Sequence, residues 1–160
     1  MESFLIHTDI QKKWIRKFKK IENEFKARAA ENDIQSRFSY ENIEWLIKEG
    51  YTKLTLPVEY GGEGATIEDM VILQSYLGTI DGATALSIGW HLSVIGQLYE
   101  QHMWSLSMLD SFAKEVVHGA LINRAVSEAE TGSPTRGGRP STHAVKAENG
   151  YVINGVKTFT

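Results

Sequence analysis

The sequence contains no cysteine. That excludes a disulfide framework and a thiolate zinc site, and it is compatible with a reducing, cytoplasmic setting. No apolar run reaches the roughly 18 residues that a membrane-spanning helix needs. The opening stretch, Met1 to His7, has no basic end before its short apolar run and so does not read as a signal peptide. Neither sign of charge dominates: 17 Lys and Arg stand against 20 Asp and Glu, a net charge of −3, and nucleic acid is not an expected partner. Tyr60-Gly61-Gly62-Glu63-Gly64 lacks the spacing of a dinucleotide fingerprint, and no Gly-Lys-Ser/Thr follows it. There is no Gly-x-Ser-x-Gly elbow, and Ser87 and Ser127 have no evident His/Asp companions. Among the five histidines, His91 and His102 lack an i+3 or i+4 ligand partner, so no metal site is expected. Glu128 and Glu130 are two apart, so on a strand they point the same way and do not face each other across a sugar. No internal repeat or low-complexity segment is visible.

What is present suits one domain, or one and a half, of ordinary composition: 160 residues, 42% hydrophobic and 23% charged. Ile10, Trp14, Phe18, Ile21 and Phe25 form one apolar stripe of a helix from about Asp9 to Ala30. Its basic face is offset by Glu22, Glu24 and Glu31, which favours a solvated face over a transit peptide. Ser39 is the expected cap of a second helix, with Ile43, Leu46 and Ile47 inward and Gly50 at its end. Leu54 to Pro57 reads as an extended connector. Thr66 and Asp81 are the expected caps of two further helices, the first running to about Gly78 and the second from Gly82 to Glu100. The second of these is apolar almost all round and punctuated by Ser87, Gly89, Ser93 and Gly96, which predicts a central helix packed on several sides. His91 sits in it, most simply as a hydrogen-bonded interior histidine. Leu106 to Val117 is a shorter helix with Leu109, Phe112, Ala113 and Val116 inward.

At Gly119 the pattern changes. Ala120 to Ile122, Ala125-Val126 and Ala144 to Glu148 read as strands, and Tyr151 to Ile153 with Val156 to Phe159 reads as a hairpin. Asn149-Gly150 and Asn154-Gly155 are its turn signals. A few strands make a poor core alone, so this half is expected to be completed by residues beyond Thr160. The run Ala120 to Ile122 leads into Arg124-Ala125-Val126-Ser127-Glu128-Ala129-Glu130-Thr131-Gly132-Ser133-Pro134, followed by Gly137-Gly138. Its hydroxyls, small residues and exposed backbone can cradle a planar polar ligand. They also suit a surface loop between two strands.

The stretch from Val126 to Ser133, together with Gly150 to Thr160, resembles the flavin-contacting part of the acyl-CoA dehydrogenase family. Leu56-Pro57-Val58-Glu59-Tyr60-Gly61-Gly62-Glu63-Gly64 resembles that family's loop between its second and third helices. The resemblance spans roughly Phe38 to Thr160. It implies a mainly α fold: an orthogonal helical bundle over residues 1–118, then the first strands of a β-barrel-like, FAD-contacting domain over 119–160, truncated. It implies FAD as cofactor, an acyl-CoA substrate, an electron-transfer flavoprotein as acceptor, and a homodimer or homotetramer. Residue by residue it carries flavin contact onto Val126, Ser127, Gly132, Ser133, Phe159 and Thr160. Ser133 also borders the thioester. Arg124, Ala129 and Pro134 depart from the family's usual residues there, which marks a divergent branch. The family's catalytic glutamate belongs to a second helical domain, so no catalytic residue is assigned.

Trp90, His91, Ser93 and Val94, on the helix expected to be most buried, are the candidates for the acyl cavity. Arg136 and Arg139 beside Gly137-Gly138 are candidates for CoA phosphates, with solvated loop arginines the simpler reading. Two alternatives stay open: a flavin-dependent monooxygenase of the same fold, and a non-catalytic helical interaction module.

Overall fold

The computed structural model describes residues 6–158. The chain divides into two compact units, one ending at Ile122 and the other beginning at Asn123. Among the described residues, the first unit holds five α-helices: α1 (Asp9–Gln35), α2 (Tyr40–Glu49), α3 (Ile67–Ile80), α4 (Gly82–Glu100) and α5 (Leu106–Val117). The second holds one antiparallel hairpin, β1 (His143–Ala147) with β2 (Gly150–Asn154). The fold class is the one expected, a mainly α bundle followed by the first strands of a β-domain. No helix among the described residues is long and apolar enough to cross a membrane.

Local chemistry sets most of the helix starts. The Thr8 hydroxyl accepts the Gln11 N–H, and the Gln11 side chain accepts the Thr8 N–H in return, which satisfies two orphan donors of α1. Thr66 and Asp69 do the same for α3. Asp69 then reaches across to α1, taking hydrogen bonds from the Thr8 hydroxyl (2.7 Å) and the Gln11 amide (2.8 Å), so the two caps fix each other. Burial of Asp69 pushes its carboxyl up, but the donors from Thr8, Thr66 and Gln11 outweigh it and the net shift is downward. Asp81 caps α4 as expected, accepting the Ala83 and Thr84 N–H groups.

Ser39 does not cap α2, although it stands at the right place: its hydroxyl makes no bond to the helix backbone. It accepts from the buried Asn32 amide and donates to Asp81 instead. The same Asn32 contact explains why α1 runs past the expected end at Ala30, closing at Ser36 in the left-handed conformation.

Two clusters of apolar side chains make the core. Trp14, Phe18, Phe25, Leu46, Tyr51, Leu54, Leu73, Leu77, Ile88 and Leu92 belong to the first, and Leu56, Ile95, Leu98, Tyr99, Leu109, Ala113 and Val116 to the second. α4 serves both, its inner stripe running Ala85, Ile88, Leu92, Ile95, Tyr99. Leu54 and Leu56, expected in a mere connector, are fully buried. A 3-10 turn at Tyr51–Lys53 leads into them, and the glycine loop folds back on them, Gly64 N–H to Leu56 O (2.9 Å) and Ala65 N–H to Leu54 O (2.9 Å).

α4 packs into both core clusters, but one of its apolar sides is uncovered. Leu86 is 66% and Trp90 56% exposed, and Val94 is half-buried, one stripe at i, i+4, i+8 on its outer side. The small residues do admit neighbours on the inner side: a Cβ on Gly89 would fall 2.6 Å from the Gln74 amide nitrogen, which donates to Ala85 O, and Gly96 lies against Thr55.

The strand readings of Ala120 to Ile122, at the end of the first unit, and of Ala125-Val126, in the second, are also corrected, since neither stretch joins a ladder. The hairpin pairs one element earlier than expected. Ala147 opposes Gly150 across a two-residue Glu148-Asn149 loop, and His143 opposes Asn154. Both faces of this two-stranded sheet are exposed. Residues 156–158 have no regular structure and do not join it.

Candidate functional site

The segment Arg124 to Ser133 is organised by one carboxylate. Glu128 is 4% exposed, in a unit with few buried groups of any kind. Its Oε2 accepts from the Thr131 hydroxyl (2.9 Å), the Ser141 N–H (2.7 Å) and the Ser141 hydroxyl (2.6 Å). Its Oε1 accepts from the Thr142 N–H (3.0 Å) and from Lys157 Nζ (2.7 Å). A carboxylate has about four lone-pair sites, so five donors saturate it. Lys157 first, then Ser141 and Thr142, hold its carboxyl far below the ordinary carboxylate range against the upward pull of burial. Glu128 and Gly132 exchange backbone hydrogen bonds (3.0 and 2.9 Å), which turns Ala129-Glu130-Thr131 into a tight loop with Gly132 at φ 68°. Gly138 packs where a Cβ would fall 2.3 Å from the Thr131 carbonyl oxygen, so only glycine fits that approach.

The sequence-predicted flavin contacts fall on this knot. Val126 and Ser127 are half-buried just before Glu128, and Gly132 and the half-buried Ser133 lie just after the tight loop. The Ser127 carbonyl accepts the Thr158 N–H at 2.9 Å, and Lys157 Nζ lies 3.4 Å from the Val126 carbonyl. The two stretches singled out in the sequence, some thirty residues apart, are therefore hydrogen-bonded side by side. Phe159 and Thr160 lie outside the described residues. The Ser133 hydroxyl is engaged with Thr135 Oγ1 (2.8 Å) at the start of a 3-10 turn, Pro134–Arg136. Arg136 and Arg139 are exposed.

A polar planar ligand such as FAD fits what this edge offers. Thr158 Oγ1 is buried without a hydrogen-bond partner among the described residues. An orphaned hydroxyl costs about 1–3 kcal/mol, so it is a group that a polar ligand can satisfy. Thr142 Oγ1, the other such oxygen, is different: it lies beneath Gly155, where a Cβ would stand 2.1 Å away, and is closed off by packing.

In the helical unit, Trp90 and Val94 share the outer stripe of α4, whereas His91 points the opposite way. His91 is 2% exposed, with Nε2 2.8 Å from the Thr52 carbonyl and Nδ1 accepting the Ile122 N–H at 3.0 Å. Both ring nitrogens are thus engaged by backbone, in the neutral tautomer with the proton on Nε2. It stands behind the outer stripe as an interior strut. Ser93 donates to the Trp90 carbonyl (2.9 Å).

Burial lowers the pKa of His91 from its usual value near 6.5, partly offset by the Thr52 bond. A depressed histidine pKa means that the unfolded chain binds the extra proton first. Stability from this site is therefore complete above about pH 6.5 and is lost as pH falls below it, at no more than about 1.4 kcal/mol per pH unit. His91→Leu removes that slope and costs about 1–3 kcal/mol by leaving Thr52 O and Ile122 N–H unpaired. Urea unfolding of both proteins at about pH 5.5 and about pH 7.5 measures it; a wild-type slope that survives in the variant contradicts the assignment.

The sequence shows Glu128 beside Glu130 but not its organising role, because its partners are 3, 13, 14 and 29 residues away. The one available signal was an acid in the loop followed, in the matching later stretch, by Lys157.

Comparison with known proteins gives a consistent picture. The family model described as "Acyl-CoA dehydrogenase, N-terminal domain" matches residues 8–102. The putative acyl-CoA dehydrogenase YdbM of Bacillus subtilis (strain 168) is 52% identical over 158 residues, which is 99% of this chain and 42% of that protein. The chain thus spans less than half the length of that relative. Two solved structures share the fold: butyryl-CoA dehydrogenase from Megasphaera elsdenii (TM-score 0.80, 22% identity, 94% of this chain and 40% of that one) and nitrososynthase from Micromonospora carbonacea var. africana (TM-score 0.79, 23% identity, 94% and 38%).

Proposed function

Because the chain belongs to the acyl-CoA dehydrogenase family, we propose that it forms the N-terminal part of an FAD-dependent enzyme that removes two hydrogens from the α and β carbons of an acyl-CoA thioester. In this reading residues 1–118 are the N-terminal helical domain and 119–160 begin the FAD-contacting β-domain. The observation that carries it is the hydrogen bond from Thr158 N–H to Ser127 O, which lays the Val126–Ser133 loop against the 156–158 stretch. Those are the two segments that the family resemblance assigns to flavin.

When bound, FAD supplies the acceptor for the hydride that leaves the β-carbon. The chain's own residues bind and orient. Val126, Ser127, Gly132 and Ser133, with Phe159 and Thr160, hold the cofactor's edge, with hydroxyls and backbone as adaptable donors. The unpaired Thr158 hydroxyl adds one more. Ser133 borders the thioester. Trp90 and Val94 give apolar surface to the acyl chain from the outer stripe of α4, with His91 bracing that helix from behind. The α-proton leaves to a carboxylate base, a role assigned to no residue of these 160. An electron-transfer flavoprotein as acceptor and a homodimeric or homotetrameric assembly complete the reading.

The test is the visible spectrum of the complete protein, before and after anaerobic addition of a mixed set of acyl-CoA thioesters. Yellow flavin bands that bleach are the expected result, and the thioester that bleaches them fastest names the substrate class. Flavin bands that persist overturn the dehydrogenation and turn attention to oxygen chemistry. A colourless protein that takes up no added FAD overturns the cofactor.

A further inference from the structure

The buried carboxylate of Glu128 has no part in the chemistry just proposed, yet it is the best-satisfied polar group of the second unit. We infer that Glu128 and Lys157 form a latch that holds the flavin-contacting loop in its binding conformation, making Glu128 a positioning residue for FAD. The inference rests on the reading that Val126 to Ser133 contacts flavin.

Among its described residues the second unit has one short hairpin, exposed on both faces, and no apolar side chain in a core cluster. Hydrophobic packing therefore does not fix the loop. Glu128 fixes it by joining three separate stretches at one point: its own tight turn through Thr131, the approach to β1 through Ser141 and Thr142, and the segment after β2 through Lys157. The 2.7 Å ion pair is shielded, with the Glu128 side chain 3% and the Lys157 side chain 23% exposed. Lys157 also touches the Val126 carbonyl, and its neighbour Thr158 holds the Ser127 carbonyl. The latch thus sets the two residues on the Ser127 side of the loop directly. Through the Glu128–Gly132 backbone pair it sets Gly132 and Ser133 on the other side. Preorganising a loop lowers the ordering cost of binding, so loss of the latch is read in affinity.

A neutral amide cannot replace the carboxylate. It would accept on one oxygen and turn an NH2 towards the Ser141 and Thr142 amides or towards Lys157. Glu128→Gln and Lys157→Met are each expected to weaken FAD binding to the complete apo-protein about tenfold. The double variant should do no further harm than either single one, because the two groups act as a unit. Lys157→Arg, which keeps the charge, should retain most of the affinity. FAD affinity is read by flavin fluorescence titration, and hydrogen exchange at the Ser141, Thr142 and Thr158 amides reports the latch without FAD. The expected result is lost protection together with lost affinity, at unchanged thermal stability of the helical unit. Lost protection with wild-type FAD affinity overturns the inference, as does full protection in Glu128→Gln. If Glu128→Gln does not fold, Lys157→Met decides, since it leaves the carboxylate four other donors. A wild-type protein that takes up no FAD fails at the earlier reading and takes the inference with it; wild-type uptake matched by the variants fails at the latch alone.

Discussion

Asp81→Ala is expected to cost the helical unit about 3–5 kcal/mol, far more than a surface acid should. Asp81 is 4% exposed and does two jobs. Its Oδ1 caps α4, the helix that serves both core clusters, by accepting the Ala83 N–H (3.1 Å) and the Thr84 N–H (3.3 Å). Loss of a cap costs about 1 kcal/mol. Its Oδ2 accepts the Asn42 amide (2.9 Å), the Ser39 hydroxyl (3.3 Å) and the Thr84 hydroxyl. Alanine leaves those buried donors short of an acceptor, and each unpaired group adds about 1–3 kcal/mol, less what the network can re-pair. Asn42 also takes a bond from Arg28 of α1 (2.8 Å), and Ser39 one from Asn32 of α1 (3.0 Å). One carboxylate therefore ties α1, α2 and α4 together. Asp81→Asn keeps the cap acceptor but turns an amide towards Asn42, and falls between wild type and alanine. Denaturant unfolding followed by fluorescence of the four tryptophans, all of which lie in the helical unit, measures the series. An alanine variant within about 1 kcal/mol of wild type shows that the network re-pairs without Asp81.

The helices were legible to the residue where their ends are written in nearby chemistry. α4 and α5 start and stop as read, because Asp81 three residues before Thr84, or a switch from apolar periodicity to Gly119, is a local signal. Ser39 shows the limit. Its type and place predict a cap, but Asp81, forty-two residues on, competes for the hydroxyl and wins. The outer stripe of α4 shows another limit: Leu86 and Trp90 are as apolar as the inner residues, and composition does not say which apolar face is covered.

The strands were the least legible. Three alternating segments and two Asn-Gly signals admit two hairpins, and the chain forms the one whose two-residue loop puts Gly150 opposite Ala147. The loop residues enter the candidate site through resemblance alone. The group that organises them was not legible, since Glu128 is defined by contacts from 3 to 29 residues away.

Gly62→Ala carries the other large effect, about 3 kcal/mol or more, and it accounts for the glycine-rich run after Pro57. The run Tyr60-Gly61-Gly62-Glu63-Gly64 is no phosphate loop. Its glycines are there because the chain folds back on Leu56 and Pro57. A Cβ on Gly62 would stand 1.9 Å from the Leu56 carbonyl oxygen and 2.4 Å from its carbonyl carbon. Those are backbone atoms of a fully buried residue, so no side-chain rotation relieves the clash. The loop must move, and with it the bonds from Gly62 N–H to Pro57 O (3.1 Å) and from Gly64 N–H to Leu56 O (2.9 Å).

The displacement reaches the first core cluster through Glu63. Its carboxylate accepts the indole N–H of the fully buried Trp14 (3.0 Å) and pairs with Lys13 (2.7 Å). Gly61→Ala provides the comparison. Gly61 sits at φ 87°, which costs a non-glycine residue about 1 kcal/mol, but its Cβ would meet only the end of Val117 at 3.3 Å. The expected order is therefore wild type, then Gly61→Ala, then Gly62→Ala, in unfolding midpoint. Only the last should change the fluorescence of Trp14 in the folded state, because only it drags Glu63 from the indole. If Gly62→Ala unfolds at the midpoint of Gly61→Ala, backbone conformation rather than close approach governs the loop, and the placement of Gly62 against Leu56 is wrong.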